Sequence, residues 1–491
     1  VKIALRAIFL GATVLYFANI LWCAAVTSGA AYARNGASTE TRWVGSWATS
    51  QQLVEPGNAL SPEDVRDATL RQIVHLSLGG AAIRLHLSNR FGSVPLHVTA
   101  AHVAKPLSAS AAKTVAGSDR ALTFSGSPEV MIPAHAGYIS DPIPFAADAL
   151  SDVAITLHVD LIPADQTGHP GSRATSYVVH GNSVSSLDLL EAKKIDHWYF
   201  IAGIDVAAAL DASAIVVLGD SITDGHGATT NANDRWTDVL AQRLQSQAGT
   251  RDLAILNGGI GGNRLLTDGL GPNAVSRFDE DVITQPGIRY VIVLEGINDI
   301  GMLTRDGDVS RSEHNMLVKR MLAAYEQMIT RAHTHDIRII GSTIMPFVGS
   351  NYYHPGPSTE ADRQSVNEWI RTPGHFDAVI DFDKVMRDPQ HPEQLLAAFD
   401  SGDHLHPSPA GYASMANAVP LSLFASTNAE ASHANAPSPA LGFGRGGVNQ
   451  MTHTRRRGDI GVNPALQFTV SLCLPLVLAQ MFGPGIHQEC L

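Results

Sequence analysis

Val216-Val217-Leu218-Gly219-Asp220-Ser221-Ile222-Thr223-Asp224-Gly225 ends an apolar, β-type run on a serine set among small and acidic residues. A serine delivered this way is a candidate nucleophile. A hydroxyl at its free pKa attacks poorly, so the reading requires a base, a group to orient that base, and donors for an oxyanion. For an isolated Gly-Asp-Ser, a turn or helix-cap serine is the plainer reading. The downstream sequence separates the two.

Asp403-His404-Leu405-His406-Pro407 supplies a base and its orienter, because Asp403 and His406 stand three residues apart and can share one side of a single turn. In such a triad the carboxylate fixes the imidazole tautomer and supports the imidazolium formed when the serine loses its proton. His404 and His406 with Asp403 also make a plausible metal cluster, but no further ligands stand at suggestive spacing, so no metal is assigned. Oxyanion donors are suggested by Asn257-Gly258-Gly259-Ile260-Gly261-Gly262-Asn263-Arg264 and by Gly296-Ile297-Asn298-Asp299, each directly after a buried-strand pattern. The first of these is not a dinucleotide loop: counted from Gly259, G-x-G-x-x-G needs glycine where Arg264 stands. No G-x-S-x-G surrounds Ser221, which argues against an α/β-hydrolase nucleophile elbow. No cofactor is expected.

Taken together and in this order, Gly219-Asp220-Ser221, Gly262, Gly296-Ile297-Asn298-Asp299 and Asp403-His404-Leu405-His406 resemble the four blocks of the SGNH (GDSL-type) hydrolases, over residues 211–425. The resemblance implies an α/β fold, a flavodoxin-like three-layer α/β/α domain. It implies Ser221 as nucleophile, His406 as base and Asp403 as its partner, with an oxyanion hole made from the Ser221 and Gly262 N–H groups and the Asn298 amide. Arg235-Trp236-Thr237-Asp238-Val239-Leu240, Asn263-Arg264-Leu265-Leu266-Thr267-Asp268 and Leu294-Glu295-Gly296-Ile297-Asn298-Asp299-Ile300-Gly301 look like bacterial secreted acylhydrolases, some linked to xylan breakdown, which carry an extra N-terminal β-rich domain.

At 491 residues, with 45% hydrophobic and 16% charged content, the chain is long enough for two domains of ordinary soluble composition. Its formal charge of −12 argues against nucleic acid as a partner. Lys2 and Arg6, the apolar run from Ala7 to Val26 and the small residues ending at Ala31-Tyr32-Ala33 have the layout of a secretory signal peptide over 1–33. That predicts a secreted or periplasmic protein with no stable membrane partner after cleavage; an uncleaved anchor is the alternative, since the run is about long enough to span. Trp22 is too bulky for lipoprotein processing at Cys23. Cys473 and Cys490 are the remaining cysteines, so no disulfide framework supports the fold, although those two could bridge.

Short strands and turns fill residues 43–206, which predicts a β-sandwich or jelly-roll-like domain. Gln72–Leu78 and Ala82–Ser88 alternate polar with apolar around Gly79-Gly80 and read as a hairpin, and Val153–Val159 is a further alternation. Across 211–425 the strand runs Ala214–Leu218, Leu253–Asn257, Tyr290–Glu295, Ile337–Met345 and Ala378–Asp381 alternate with helical stretches, including Trp236–Gln245 and Asn315–His333. Strand-helix alternation means a parallel sheet covered on both faces, with its ligand crevice beyond the carboxyl ends of the strands. Residues 427–491 read as a low-complexity, disordered tail with an apolar stretch from Ala465 to Phe482.

Asp220, Asp224, Asp299 and Glu295 read as loop braces rather than reacting groups. Tyr352, Tyr353 and His354, in a loop after a strand, are candidates for lining the substrate cleft or for plain surface filler. Trp43, Trp47 and Phe91 read as sandwich core ahead of sugar-stacking groups. The function these readings predict is serine esterase action on a small-molecule or polysaccharide acyl ester, such as an acetylated polysaccharide. A lysophospholipase or thioesterase would use the same machinery. The rival from another class is a carbohydrate-binding protein with an inactive hydrolase domain.

Overall fold

The computed structural model describes residues 40–424; the expected signal segment, Cys23, the low-complexity tail and the Cys473–Cys490 pairing lie outside them. The described residues belong to one compact unit. Within the described residues, antiparallel strands run from Thr41 to Ala209 and a parallel sheet occupies Ser213 to Ile380.

Two principal antiparallel sheets face each other in the first part. One has the order Thr41–Ala48, Ile201–Ala209, Gly80–Ser88, Gly137–Ile139; the other runs Lys193–Ile195, Ser176–His180, Arg66–His75, Asp152–Leu161, Leu96–Ala104, Arg120–Ala121. Ile83, Leu85 and Leu87 are buried while Arg84 and His86 between them are half-exposed, so the period-two pattern puts every second side chain against the opposite sheet. Leu70, Val103 and Leu157 of the second sheet join the same apolar core.

The expected hairpin around Gly79-Gly80 does not form. Arg66–His75 and Gly80–Ser88 lie in different sheets, and the glycines carry the chain from one sheet to the other. Both are required by close approach: a Cβ on Gly79 would meet Ala147 O at 2.7 Å, and one on Gly80 would meet Ala207 O at 2.8 Å. Ser77 Oγ, just before them, donates to Ser46 O (2.6 Å) and accepts from Ile255 N (2.9 Å), which fastens this corner to the parallel sheet.

The parallel sheet has the order Leu253–Gly259, Ser213–Gly219, Ile288–Leu294, Arg338–Ser342, Ala378–Ile380. This is the flavodoxin-like arrangement, and the chain reverses its direction of travel across the sheet beside Ser213–Gly219. Every residue of Ser213–Gly219 is buried, as a strand covered on both faces requires. Helix Trp236–Gln245 packs on Pro409–Ala418, and Arg311–Thr334 packs on Pro357–Arg371. The long helix begins earlier than Asn315 because Ser310 and Glu313 form a capping box at its start. The fourth strand ends at Ser342, short of Met345, where Thr343 Oγ1 turns to Asp381 and Ile344 N bonds to the Asn367 side chain.

Candidate active site

Ser221 opens a one-turn helix, Ser221–Asp224, at the carboxyl end of strand Ser213–Gly219. Asp220 caps it by accepting from Ile222 N at 2.9 Å, and Gly225, at φ 98°, closes it with its N–H on Ser221 O. The turn is tight enough that a Cβ on Gly219 would sit 2.2 Å from Thr223 Oγ1. Ser221 is thereby fixed with its hydroxyl facing a cleft of about 670 Å³ that Gly262, Asn298, Tyr352 and His406 also line.

The sequence places His406 185 residues after Ser221, and the fold brings His406 Nε2 to 2.8 Å from Ser221 Oγ. On the far side of the ring, Nδ1 donates to Asp403 Oδ2 at 2.6 Å, while Asp403 Oδ1 accepts from the backbone N–H groups of Leu405 (3.0 Å) and His406 (2.8 Å). Burial raises the Asp403 pKa, but the hydrogen bonds from His406 and the nearby imidazole charge outweigh it and hold the carboxyl well below the usual range. The carboxylate is therefore ionised wherever the imidazole works as a base.

His404 turns away from this pair and bonds through Nδ1 to Asp400 Oδ2 at 2.6 Å, so the ligand set Asp403, His404, His406 is not assembled. The group that does come together is His226, Asp403 and His406, which the sequence reading missed. Its ring lies on His406 with centroids 4.0 Å apart and planes at 40°. An ion among the three would have to displace the proton that links His406 to Asp403. Burial, then the His406 and Arg173 charges, push His226 down to about 4, so it stays neutral beside the base near neutral pH. The only local signal for it was a histidine between Gly225 and Gly227, both at positive φ.

On the opposite side of Ser221, the loop after Leu253–Gly259 carries Gly262 at φ 64°. Asn298 enters from a helix whose first turn starts at Gly296, φ 110°. One hydrogen of the Asn298 amide goes to Asn263 O at 2.7 Å, leaving the second, while its Oδ1 accepts from Tyr353 O–H at 2.5 Å. Among the described residues no group accepts from the Ser221 or Gly262 N–H. Tyr352 lines the cleft at half exposure with the Arg305 guanidinium 4.3 Å from its ring centre, whereas Tyr353 is buried behind it. Trp47 is buried edge-on to Trp198, and neither it nor Trp43 or Phe91 reaches this cleft.

Behind the nucleophile the fully buried Arg277 joins the pieces. It donates to Gly219 O (3.0 Å), Gly258 O (2.7 Å), Asn263 Oδ1 (2.9 Å) and Asp281 Oδ2 (2.8 Å), and faces Glu295 Oε1 at 3.4 Å. Asp299 accepts from Leu265 N and Leu266 N, so it braces the oxyanion-side loop as the sequence suggested. Burial pushes Asp220 up to about 7 and Asp299 to about 6, and raises Glu295 well above the ordinary range, with one guanidinium among several carboxyls.

Residues 217–414 match the GDSL-like Lipase/Acylhydrolase family, and the chain carries a domain of that family there. Solved structures similar to it include a GDSL-like lipase from Bacteroides thetaiotaomicron (18% identity, 42% of this chain and 84% of that one, TM-score 0.30). Also similar are an α/β hydrolase enzyme from the metagenome of Lake Arreo, Spain (23%, 42% and 92%, 0.30), and an acetyl xylan esterase (17%, 42% and 96%, 0.31). No curated protein matches the chain.

Proposed function

We propose that the protein is a secreted serine esterase that removes short acyl groups, acetyl on a plant-type polysaccharide among them, through a covalent acyl-enzyme. The observation that carries this reading is the unbroken chain of hydrogen bonds from Ser221 Oγ through His406 to Asp403, opening on a cleft edged by Gly262 and Asn298. Ser221 Oγ attacks the ester carbonyl carbon as its proton passes to His406 Nε2, and Asp403 stabilises the resulting imidazolium. The negative oxygen of the tetrahedral intermediate is received by the Ser221 and Gly262 N–H groups and the free Asn298 amide hydrogen. His406 then returns the proton to the departing alcohol, and water repeats the sequence to release the acid. The completeness of this set speaks against an inactive hydrolase serving only as a carbohydrate binder.

Kinetics on p-nitrophenyl esters of rising chain length, alongside acetylated xylan, test the reading. The expected result is highest kcat/KM on acetyl esters, with Ser221→Ala lowering kcat by on the order of 10⁴ to 10⁶ at unchanged circular dichroism. Near-wild-type turnover by that variant would remove the serine mechanism. A maximum on long-chain esters would make the protein a lipase-type acylhydrolase instead. Export rests on Lys2, Arg6 and the Ala7–Val26 run, and an amino terminus other than Arg34 on protein recovered from the medium or periplasm would refute cleavage after Ala33.

A further inference from the structure

We propose that the β-sandwich is a working part of the catalytic centre, with His169 as a positioning residue that holds the Ser221 turn through Asp224. The inference rests on the serine mechanism above. His169 belongs to the short strand Thr167–His169, and its ring is fixed in plane by stacking on Trp198 (5.9 Å, 29°), which is itself locked edge-on by Trp47 (5.0 Å). The ring reaches across to the nucleophile segment, where Nε2 meets Asp224 Oδ1 at 2.8 Å. Both side chains are almost completely enclosed.

The protonation state follows from the partners. Nδ1 faces the Ser50 carbonyl oxygen at 2.9 Å, which can only accept, so Nδ1 carries a hydrogen. A second proton must then lie between Nε2 and Asp224. Burial raises the Asp224 pKa, but the charge and hydrogen bond of His169, with the charges of Arg173 and Arg235, bring it below the ordinary value. Asp224 thus presents an ionised carboxylate to the ring.

Asp224 is held on every side. Arg173 Nη2 stands 3.6 Å from Oδ2, Arg235 Nε donates to Asp224 O at 3.0 Å, and the same Arg235 guanidinium bonds Ser172 O of the sandwich. His226, two residues on, and Tyr412 also face its charge. A Cβ on Gly171 would fall 1.9 Å from Asp224 Oδ2, and one on Gly259 would fall 2.2 Å from Asp224 N. The carboxylate therefore fills a slot that the sandwich supplies. Asp224 N bonds Asp220 O across the single turn that bears Ser221, so a shift at Asp224 moves the nucleophile relative to His406. His169 does not line the cleft and cannot touch substrate.

The test is steady-state kinetics on p-nitrophenyl acetate with full-length Ser221→Ala, His169→Ala and His169→Gln. His169→Ala is expected to lower kcat by on the order of 10²-fold with KM little changed, as displacement of a reacting group does. It also leaves the Asp224 carboxylate without its main counter-charge, so the acid limb of the kcat profile should move to higher pH. His169→Gln keeps a donor toward Asp224 and loses the charge; it should recover most of kcat on the alkaline side while retaining the displaced acid limb. That second signature does not depend on the alanine variant folding, and a merely structural histidine would not produce it. A wild-type kcat and pH profile in His169→Gln, with Ser221→Ala inactive, overturns this inference alone. An active Ser221→Ala overturns the serine mechanism and this inference with it.

Discussion

At the rim of the β-sandwich, carboxylates meet histidines where solvent reaches them: Asp160 and Glu129 hold His97, and Asp119 holds His102. In the parallel-sheet half, Asp220, Glu295 and Asp299 are enclosed around one buried guanidinium, Arg277. The same chemical groups do different work because water is present in one place and absent in the other. Exposed pairs are screened and their loss is absorbed by solvent, whereas a buried charge with its partner removed has nothing to replace it. Charge is thus costly to disturb where the candidate site is built, and cheap to disturb where the sandwich meets solvent.

Arg277→Met puts the greatest strain on that contrast. It strips partners from two strand-end carbonyls, the Asn263 side chain and Glu295, and should cost about 3–5 kcal/mol of stability in denaturant titrations. The deficit has a direction in pH. Asp220 is raised from 3.8 to about 7 in the folded protein, so the folded state binds more protons than the unfolded chain over that interval and stability falls as pH rises through it. Removing the cation steepens the fall. An Arg277→Met protein equally stable from pH 5 to 8 and within about 1 kcal/mol of wild type would erase the distinction between the two halves.

Asn298→Ala comes next, touching the enclosed side without removing a full charge. It should lower kcat by roughly 10² to 10³ with little change in KM, because the amide is aimed at charge that exists only in the transition state. A raised KM with kcat intact would move Asn298 into ground-state binding. Tyr353→Phe asks for less. It deletes one hydrogen bond to Asn298 Oδ1 inside a buried contact, and about fivefold in kcat corresponds to the roughly 1 kcal/mol a typical hydrogen bond is worth. Equal kcat in the two proteins would show that the amide is held by Asn263 alone.

These positions also mark how far the sequence could be read. Asp403 and His406 were legible because three residues of spacing close their contact within one turn, and Ser221 because a strand ended on it. The parallel character of the sheet followed from strand-helix alternation, since parallel neighbours need covered crossovers. Contacts that close over long separations left no local trace: Tyr353 lies 55 residues from Asn298, and His169 lies 55 from Asp224. The false hairpin at Gly79-Gly80 has the same origin. Period-two alternation reports which face of a strand is buried, but a turn within one sheet and a corner between two sheets present the same pattern. Arg277 was hidden because nothing in its neighbours distinguishes a guanidinium at the centre of the fold from one on a helix surface.

His97→Ala gives the smallest effect and tests the sandwich side of the comparison. The Asp160 hydrogen bond, set against slight burial and helped by Glu129, raises the His97 pKa above 6.5, and the same contact outweighs burial to lower Asp160 below 3.8. A raised histidine contributes stability that is full below its unfolded pKa and is lost as pH rises through the folded value. A lowered carboxylate contributes above its unfolded pKa and loses it as pH falls. The pair therefore helps most between roughly pH 4 and 6.5. Solvent reaches both side chains, so the whole effect should stay under about 1 kcal/mol and shrink further in salt. The measurement is the difference in Tm between His97→Ala and wild type at pH 5.5 and at pH 8.5. A larger destabilisation at the alkaline pH, or one approaching that of Arg277→Met, would mean that rim charges here are held as firmly as enclosed ones.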